Sequence, residues 1–78
     1  MNTVKVRFVR VEYRFFKENR YELLKEDELP IGIIPNKGDI IHLSNNTNGK
    51  TYRVEQKDLI IHQNPKEYIV KLFLLELS

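Results

Sequence analysis

The chain has 78 residues, a formal net charge of +2 and no cysteine. This length accommodates one domain, residues 1–78, and the absence of cysteine excludes disulfides and thiolate metal sites. The small net charge neither excludes nor indicates a particular class of partner. A core this small needs a closed sheet, a partner or self-association to be stable. The chain contains no Ala and is rich in β-branched and aromatic side chains, which predicts an all-β protein.

Residues 3–16 are predicted to form one long strand, because apolar and charged side chains alternate along them. The phase of the alternation slips by one residue at Phe8-Val9, so we predict a β-bulge there that bends the sheet towards closure. Beyond the slip, the apolar positions are Val9, Val11, Tyr13 and Phe15.

The segment 17–29 admits two interpretations. A turn at Asn19-Arg20 followed by a short strand at 21–25 is favoured slightly, and one or two helical turns are the alternative. The next segment, 30–39, is an ordered connection, since Pro30 and Pro35 exclude both a helix and a central strand. Residues 35–38 fit a β-turn in which Gly38 supplies an unusual backbone angle.

Three further strands are predicted in the second half of the chain. Asn48-Gly49 is a strong hairpin signal that joins two of them. Another turn, at 63–66, precedes the last strand. The strands are Asp39–Ser44, Lys50–Gln56 (with a continuation through a break at Lys57-Asp58 into Leu59–His62) and Glu67–Leu77.

Short turns between strands in up-and-down order predict the fold class: all-β, a small SH3-like barrel or a strongly bent antiparallel meander of about five strands. Pro35-x-x-Gly38-Asp39-x-Ile41-x-Leu43, a turn, and then Tyr52-x-Val54 resemble the central hairpin of small SH3-like β-barrels. Similar patterns occur in short bacterial and phage proteins. The resemblance covers residues 35–54 and implies a barrel with a binding role.

The sequence contains no catalytic motif, so we expect a protein that is not an enzyme and that uses no cofactor and no metal. Its two histidines, His42 and His62, each follow an aspartate, Asp39 or Asp58, by a few residues. If their strands were neighbours, these groups could approach one another as a metal or general-base site. Two half-exposed strand histidines near turn-capping aspartates are the simpler interpretation.

The basic first strand is a candidate nucleic-acid surface. Single strands bind where cations meet phosphates and rings stack on bases. The candidate residues are Lys5, Arg7, Arg10, Arg14 and Tyr13. The simpler interpretation is that the aromatic rings belong to the core and the cations only solubilise the outer face.

The last strand is a candidate protein interface, because it is apolar on both faces, whereas a half-exposed antiparallel strand should have one polar face. Tyr68, Val70, Leu72 and Leu74 alternate with the candidate interface residues Ile69, Phe73, Leu75 and Leu77, among which lies Lys71. Either residues 17–29, with Tyr21, Leu23 and Leu24, cover that face, or another chain does.

The function expected from these features is a non-enzymatic protein-interaction module that self-associates through its C-terminal strand or binds a protein partner. The alternative is a nucleic-acid-binding small barrel that uses the basic N-terminal strand. No leader pattern and no apolar run of membrane-spanning length occur, so we expect a cytoplasmic location without membrane contact.

Overall fold

A computed structural model of the chain describes residues 7–44 and 49–77. Within these ranges the chain forms five β-strands and one turn of 3-10 helix, which confirms the all-β prediction. The strands are β1 (Phe8–Lys17), β2 (Arg20–Pro30), β3 (Ile40–Ser44), β4 (Gly49–Gln63) and β5 (Lys66–Glu76), and the 3-10 turn is Ile31–Ile33.

The strands form a single sheet in the order β2-β1-β5-β4-β3. β1 and β2 are an antiparallel hairpin, β3, β4 and β5 are an antiparallel meander, and β1 joins the two units by pairing in parallel with β5. The sheet curls into a half-barrel. The strongly bent five-stranded sheet is therefore confirmed, while the resemblance to SH3-like barrels stays a prediction.

The parallel pairing of β1 with β5 corrects the expected up-and-down order. β5 is apolar on both faces, so it is most stable in the middle of the sheet, where neighbours flank it on both sides. β2 carries four carboxylates and two cations and ends at Pro30, and such a strand suits an edge.

The hairpin of β1 and β2 shows that the segment 17–29 contains a turn and a strand and no helical turns, and the strand is longer than the predicted 21–25. Its two-residue turn is Glu18-Asn19, one residue earlier than predicted, and both residues have positive φ, 52° and 65°, as in type I′ turns. Pairing is regular at Phe8-Val9, so the structure shows no bulge there. The register shifts instead between Tyr13 and Arg14, opposite Leu24.

Most of the buried side chains lie on one face of the sheet, the core face, while Glu12 and Ile69 are buried on the opposite face. Those on the core face include Val11, Val54, Leu72 and Leu74, and Ile34 packs against them from the segment that connects β2 to β3. That segment crosses the core face and is tied to the sheet by backbone hydrogen bonds: Gly38 N donates to Val54 O (2.8 Å), and Val54 N donates to Asp39 O (2.9 Å). The opposite face is the outer face.

The antiparallel hairpin predicted at 39–56 is confirmed, with Asn48 outside the described residues. Gly38 has the predicted positive φ, +94°. β4 runs without a break through Lys57-Asp58, and the irregularity lies between Val54 and Gln56, where Glu55 is the extra residue. The last turn contains Asn64 and Pro65, and the last strand follows it as predicted.

Candidate protein-interaction surface

An apolar cluster lies on the outer face, near the turn that joins β1 to β2. Its members come from β2, β1 and β5, which are consecutive in the sheet. We call it the outer-face cluster, and it consists of Phe16, Tyr21, Leu23, Phe73 and Leu75. These five side chains are uncharged although they face away from the core, and Arg14, which lies between Leu23 and Phe73 in the sheet, directs its guanidinium to Glu12.

Aromatic contacts hold the centre of this cluster together. The rings of Phe16 and Tyr21, a cross-strand pair, have centroids 5.2 Å apart. Tyr21 also meets Phe73 nearly edge to face, at 4.9 Å. The remaining exposure is large, since Phe16 and Leu23 are each 47% exposed and Leu75 is 37% exposed. The cluster is therefore organised and still open to solvent.

The alternation of β5 explains why its side chains divide between two environments. Val70, Leu72 and Leu74 fill the core, and the four predicted interface residues lie on the other face. They differ in exposure: Ile69 is buried, Phe73 is half-buried, and Leu75 and Leu77 are exposed. Of the predicted interface, the end from Phe73 onwards is therefore the part accessible to a partner.

The segment 17–29 lies beside this face and not on top of it. β2 is part of the same sheet, two positions away from β5. Tyr21 reaches Phe73, but Leu23 and Leu24 remain exposed themselves, at 47% and 38%. Of the two alternatives given for this face, cover by residues 17–29 is therefore not the one that the structure shows: β2 enlarges the apolar surface.

A charged row bounds the cluster on one side. Pairing across four strands aligns Glu26, Glu12, Lys71 and Asp58 on the outer face. Glu12 is only 8% exposed, and its Oε1 accepts hydrogen bonds from Nε and Nη2 of Arg14 at 3.1 and 2.9 Å. This pairing satisfies a carboxylate that would otherwise be costly to bury.

Two of the three arginines of the predicted nucleic-acid surface are engaged in ion pairs. Arg14 binds Glu12, and Nη2 of Arg10 lies 3.3 Å from Oε1 of Glu67. Arg20 and Arg53 likewise pair with Glu22 and Glu55. Phosphate would have to displace a carboxylate at each of these sites, so their positions do not favour a phosphate-binding groove.

The other predicted nucleic-acid residues do not lie together. Tyr13 is 5% exposed and belongs to the core face, so its ring is not available for stacking on a base. Burial, with a further contribution from Asp27, raises the pKa of Tyr13. Arg7 is exposed, and Lys5 lies outside the described residues. Whether the protein binds nucleic acid stays a prediction.

The register of the sheet separates the two histidines. His42 lies opposite Thr51, and its Nδ1 is 2.9 Å from Thr51 Oγ1. His62 lies much farther along β4, at most roughly 36 Å from Thr51 at about 3.3 Å per residue. Asp39 accepts a hydrogen bond from Asn36 N, as a turn-capping aspartate does. Residues 7–44 and 49–77 contain no group of three potential metal ligands.

Phe16 was absent from the predicted interface. Its neighbour Phe15 takes the core face, so alternation alone assigns Phe16 to the outer face. From the sequence, Tyr21, the cross-strand partner of Phe16, is assigned only to a covering segment, because the sequence of one strand does not show which strand pairs with it.

Comparison of the chain with protein-family models, with curated proteins and with solved structures gave no match. Among the described residues, no helix has the length and apolar character needed to cross a bilayer.

Proposed function

We propose that this protein is a non-enzymatic protein-interaction module that self-associates through the outer-face cluster of its C-terminal strand and β1–β2 hairpin. The observation that supports the proposal is the exposure of Phe16, Leu23 and Leu75 around the ring contact of Tyr21 with Phe73. A contiguous apolar patch on a small protein is more often a contact surface than a solvent-facing one.

The energetics are compatible with a weak to moderate dimer. Full burial of one large apolar side chain contributes about 1.5–3 kcal/mol, and these side chains are roughly half exposed, so each adds about half of that. Ten such side chains meet in a symmetric dimer, five from each copy. Their sum is of the same order as the cost of association, so burial of the cluster is compatible with a weak dimer.

A second copy of the chain suits this surface because the five side chains of the cluster are uncharged. A two-fold axis through it brings apolar side chains of both copies together, and Arg14, which lies among them, is already paired with Glu12 of its own copy. The charged row that contains Glu12 and Lys71 then lies at the rim, where water can still reach it. The predicted cytoplasmic location stays a prediction.

The alternative function, nucleic-acid binding by the basic N-terminal strand, has less support. The acidic partners of Arg10 and Arg14 and the burial of Tyr13 leave few free groups for it.

Size-exclusion chromatography with light scattering tests the proposed function. We expect the mass of the wild type to rise with concentration and the mass of Leu23→Glu and Leu75→Glu to stay lower, with circular dichroism unchanged. Phe73→Glu should act in the same way if it folds. Ile33→Glu is the matched control, since Ile33 is 64% exposed and lies outside the cluster. A wild type that stays monomeric at high micromolar concentration contradicts self-association.

A further inference from the structure

We infer that a second copy of this chain also pairs with the free edge of β4, strand against antiparallel strand, about a two-fold axis at Ile60. This contact is separate from the outer-face cluster and does not depend on the proposed function. It involves residues 56–63 of β4, called here the distal edge.

The distal edge is a long run of strand with only one neighbour. β4 extends to Gln63, but β3 pairs with it only at Gly49–Arg53. From Gln56 onwards the pairing partner is β5 alone, within the part of the chain that the structure describes. Every second backbone amide and carbonyl along this run therefore points away from the sheet.

Beyond Lys57 and Asp58, the distal edge also lacks the devices that protect an edge strand. β2, an outermost strand, is acidic, carries a register irregularity at Leu24 and ends in Pro30. The distal edge has no proline and no register shift, and no charged residue follows Asp58. Leu59 and Ile61 are 59% and 47% exposed on its core-face side, beside Tyr68, which is 38% exposed. An edge of this kind accepts another strand.

The pattern of side chains selects a second copy and one register. With the two-fold axis at Ile60, Leu59 of each copy lies opposite Ile61 of the other, and Asp58 lies opposite His62. Moving the axis to Leu59 sets Asp58 against Ile60, and moving it to Ile61 sets Ile60 against His62. Only the axis at Ile60 pairs apolar with apolar and acid with imidazole, which is the arrangement that stabilises cross-strand pairs.

The same register continues the row of polar and charged side chains across the contact. Within one copy, Lys71 lies opposite Asp58, and His62 lies opposite Glu67, which is itself paired with Arg10. In the paired dimer these side chains follow one another across both sheets. Asp58 then has Lys71 opposite it on β5 and His62 of the other copy on its free side, while Gln56 of its own strand donates to it at 2.9 Å.

The test uses the full chain with Leu75→Glu, which removes association through the outer-face cluster. In this background we add Leu59→Lys or Ile61→Glu, both at exposed positions. Each change sets a buried charge against an apolar side chain of the partner, so each should weaken dimerisation about tenfold or more. In an equimolar mixture, the new lysine of one copy meets the new glutamate of the other, so a heterodimer should form. Ile33→Lys is the matched control.

Light scattering and hydrogen exchange give the readouts. We expect alternate amides of residues 57–62 in the wild type to become protected as concentration rises. Loss of dimerisation in the single variants with recovery in the mixture supports the inference. A monomeric Leu75→Glu background with amide exchange independent of concentration overturns it, as does a mixture that fails to associate. If Leu59→Lys alone, in the otherwise wild-type chain, is already monomeric, the edge contact stands and the outer-face proposal fails.

Discussion

Tyr21 and Phe73 touch nearly edge to face, with ring centroids 4.9 Å apart, although β1 lies between their two strands. The contact is possible because Arg14, which lies on β1 beside Phe73, directs its guanidinium to Glu12. The outer-face cluster is therefore linked to the ion pair that bounds it.

We expect the Tyr21–Phe73 contact to contribute a coupling free energy of about 0.5–1.5 kcal/mol. Urea unfolding of Tyr21→Leu, Phe73→Leu and the double variant measures it as a double-mutant cycle. The control cycle combines Phe73→Leu with Tyr68→Leu. Tyr68 lies on the opposite face of the sheet, so the two changes in unfolding free energy should be additive. Additivity in both cycles would show that the ring contact adds nothing beyond burial.

We expect Gly38→Ala to destabilise the protein by about 1 kcal/mol or more, because L side chains rarely adopt its φ of +94°. A Cβ at this position meets no atom within 4 Å, so the effect comes from the backbone alone. Gly32→Ala is the control, since a Cβ at Gly32 also meets no atom within 4 Å and the φ of Gly32 is not positive. Thermal unfolding compares the two variants, and equal stabilities would refute this explanation.

Stability should fall in alkaline solution through Tyr13. Burial raises the pKa of Tyr13 in the folded protein, and Asp27 adds to the effect. Above pH 10, about the ordinary pKa of tyrosine, the unfolded chain releases its proton first, so unfolding becomes more favourable as pH rises towards the folded-state pKa. Urea midpoints across this range should fall less steeply for Tyr13→Phe than for the wild type. Tyr68→Phe, at an exposed position, should resemble the wild type.

We expect weak or no binding of a mixed single-stranded oligonucleotide, measured by fluorescence anisotropy at low salt. Binding through four phosphate contacts would give a log–log salt slope of about −3, reduced by about 1.4 when Arg10 and Arg14 are both changed to Ala. The ion pairs supply a sharper control. Glu12→Gln and Glu67→Gln release the two arginines, so these variants should bind more tightly than the wild type. Tight, salt-dependent binding by the wild type would instead support the nucleic-acid alternative.

Features that depend on neighbouring residues were predictable from the sequence. The alternation of β1 assigned Val9, Val11 and Tyr13 to one face, and they form part of the core. The turn ending at Gly38 and the two apolar faces of β5 were also evident. Each of these is a local property, set by side-chain period or by the conformational freedom of one glycine.

Features that depend on which strands pair with one another in the sheet were not predictable. The slip in the alternation of apolar residues at Phe8-Val9 predicts a bulge there. In the structure, β1 pairs regularly with β2 from Phe8 onwards, and the register shift lies between Tyr13 and Arg14, opposite Leu24. The neighbour of β5 on one side is β1, from the other end of the described chain. That choice results from competition among all strands for burial, so neither the outer-face cluster nor the separation of the histidines could be derived from spacing.

The parallel pairing of β1 with β5 has a kinetic consequence. Each antiparallel unit can form from residues close in sequence, but joining the two requires Arg10 to meet Ile69 and therefore closes a loop of nearly the whole described chain. High contact order of this kind slows folding. We expect the docking of the β1–β2 hairpin onto β5 to be the rate-limiting step. Until it occurs, the central strand offers an unpaired apolar edge to any other nascent chain nearby.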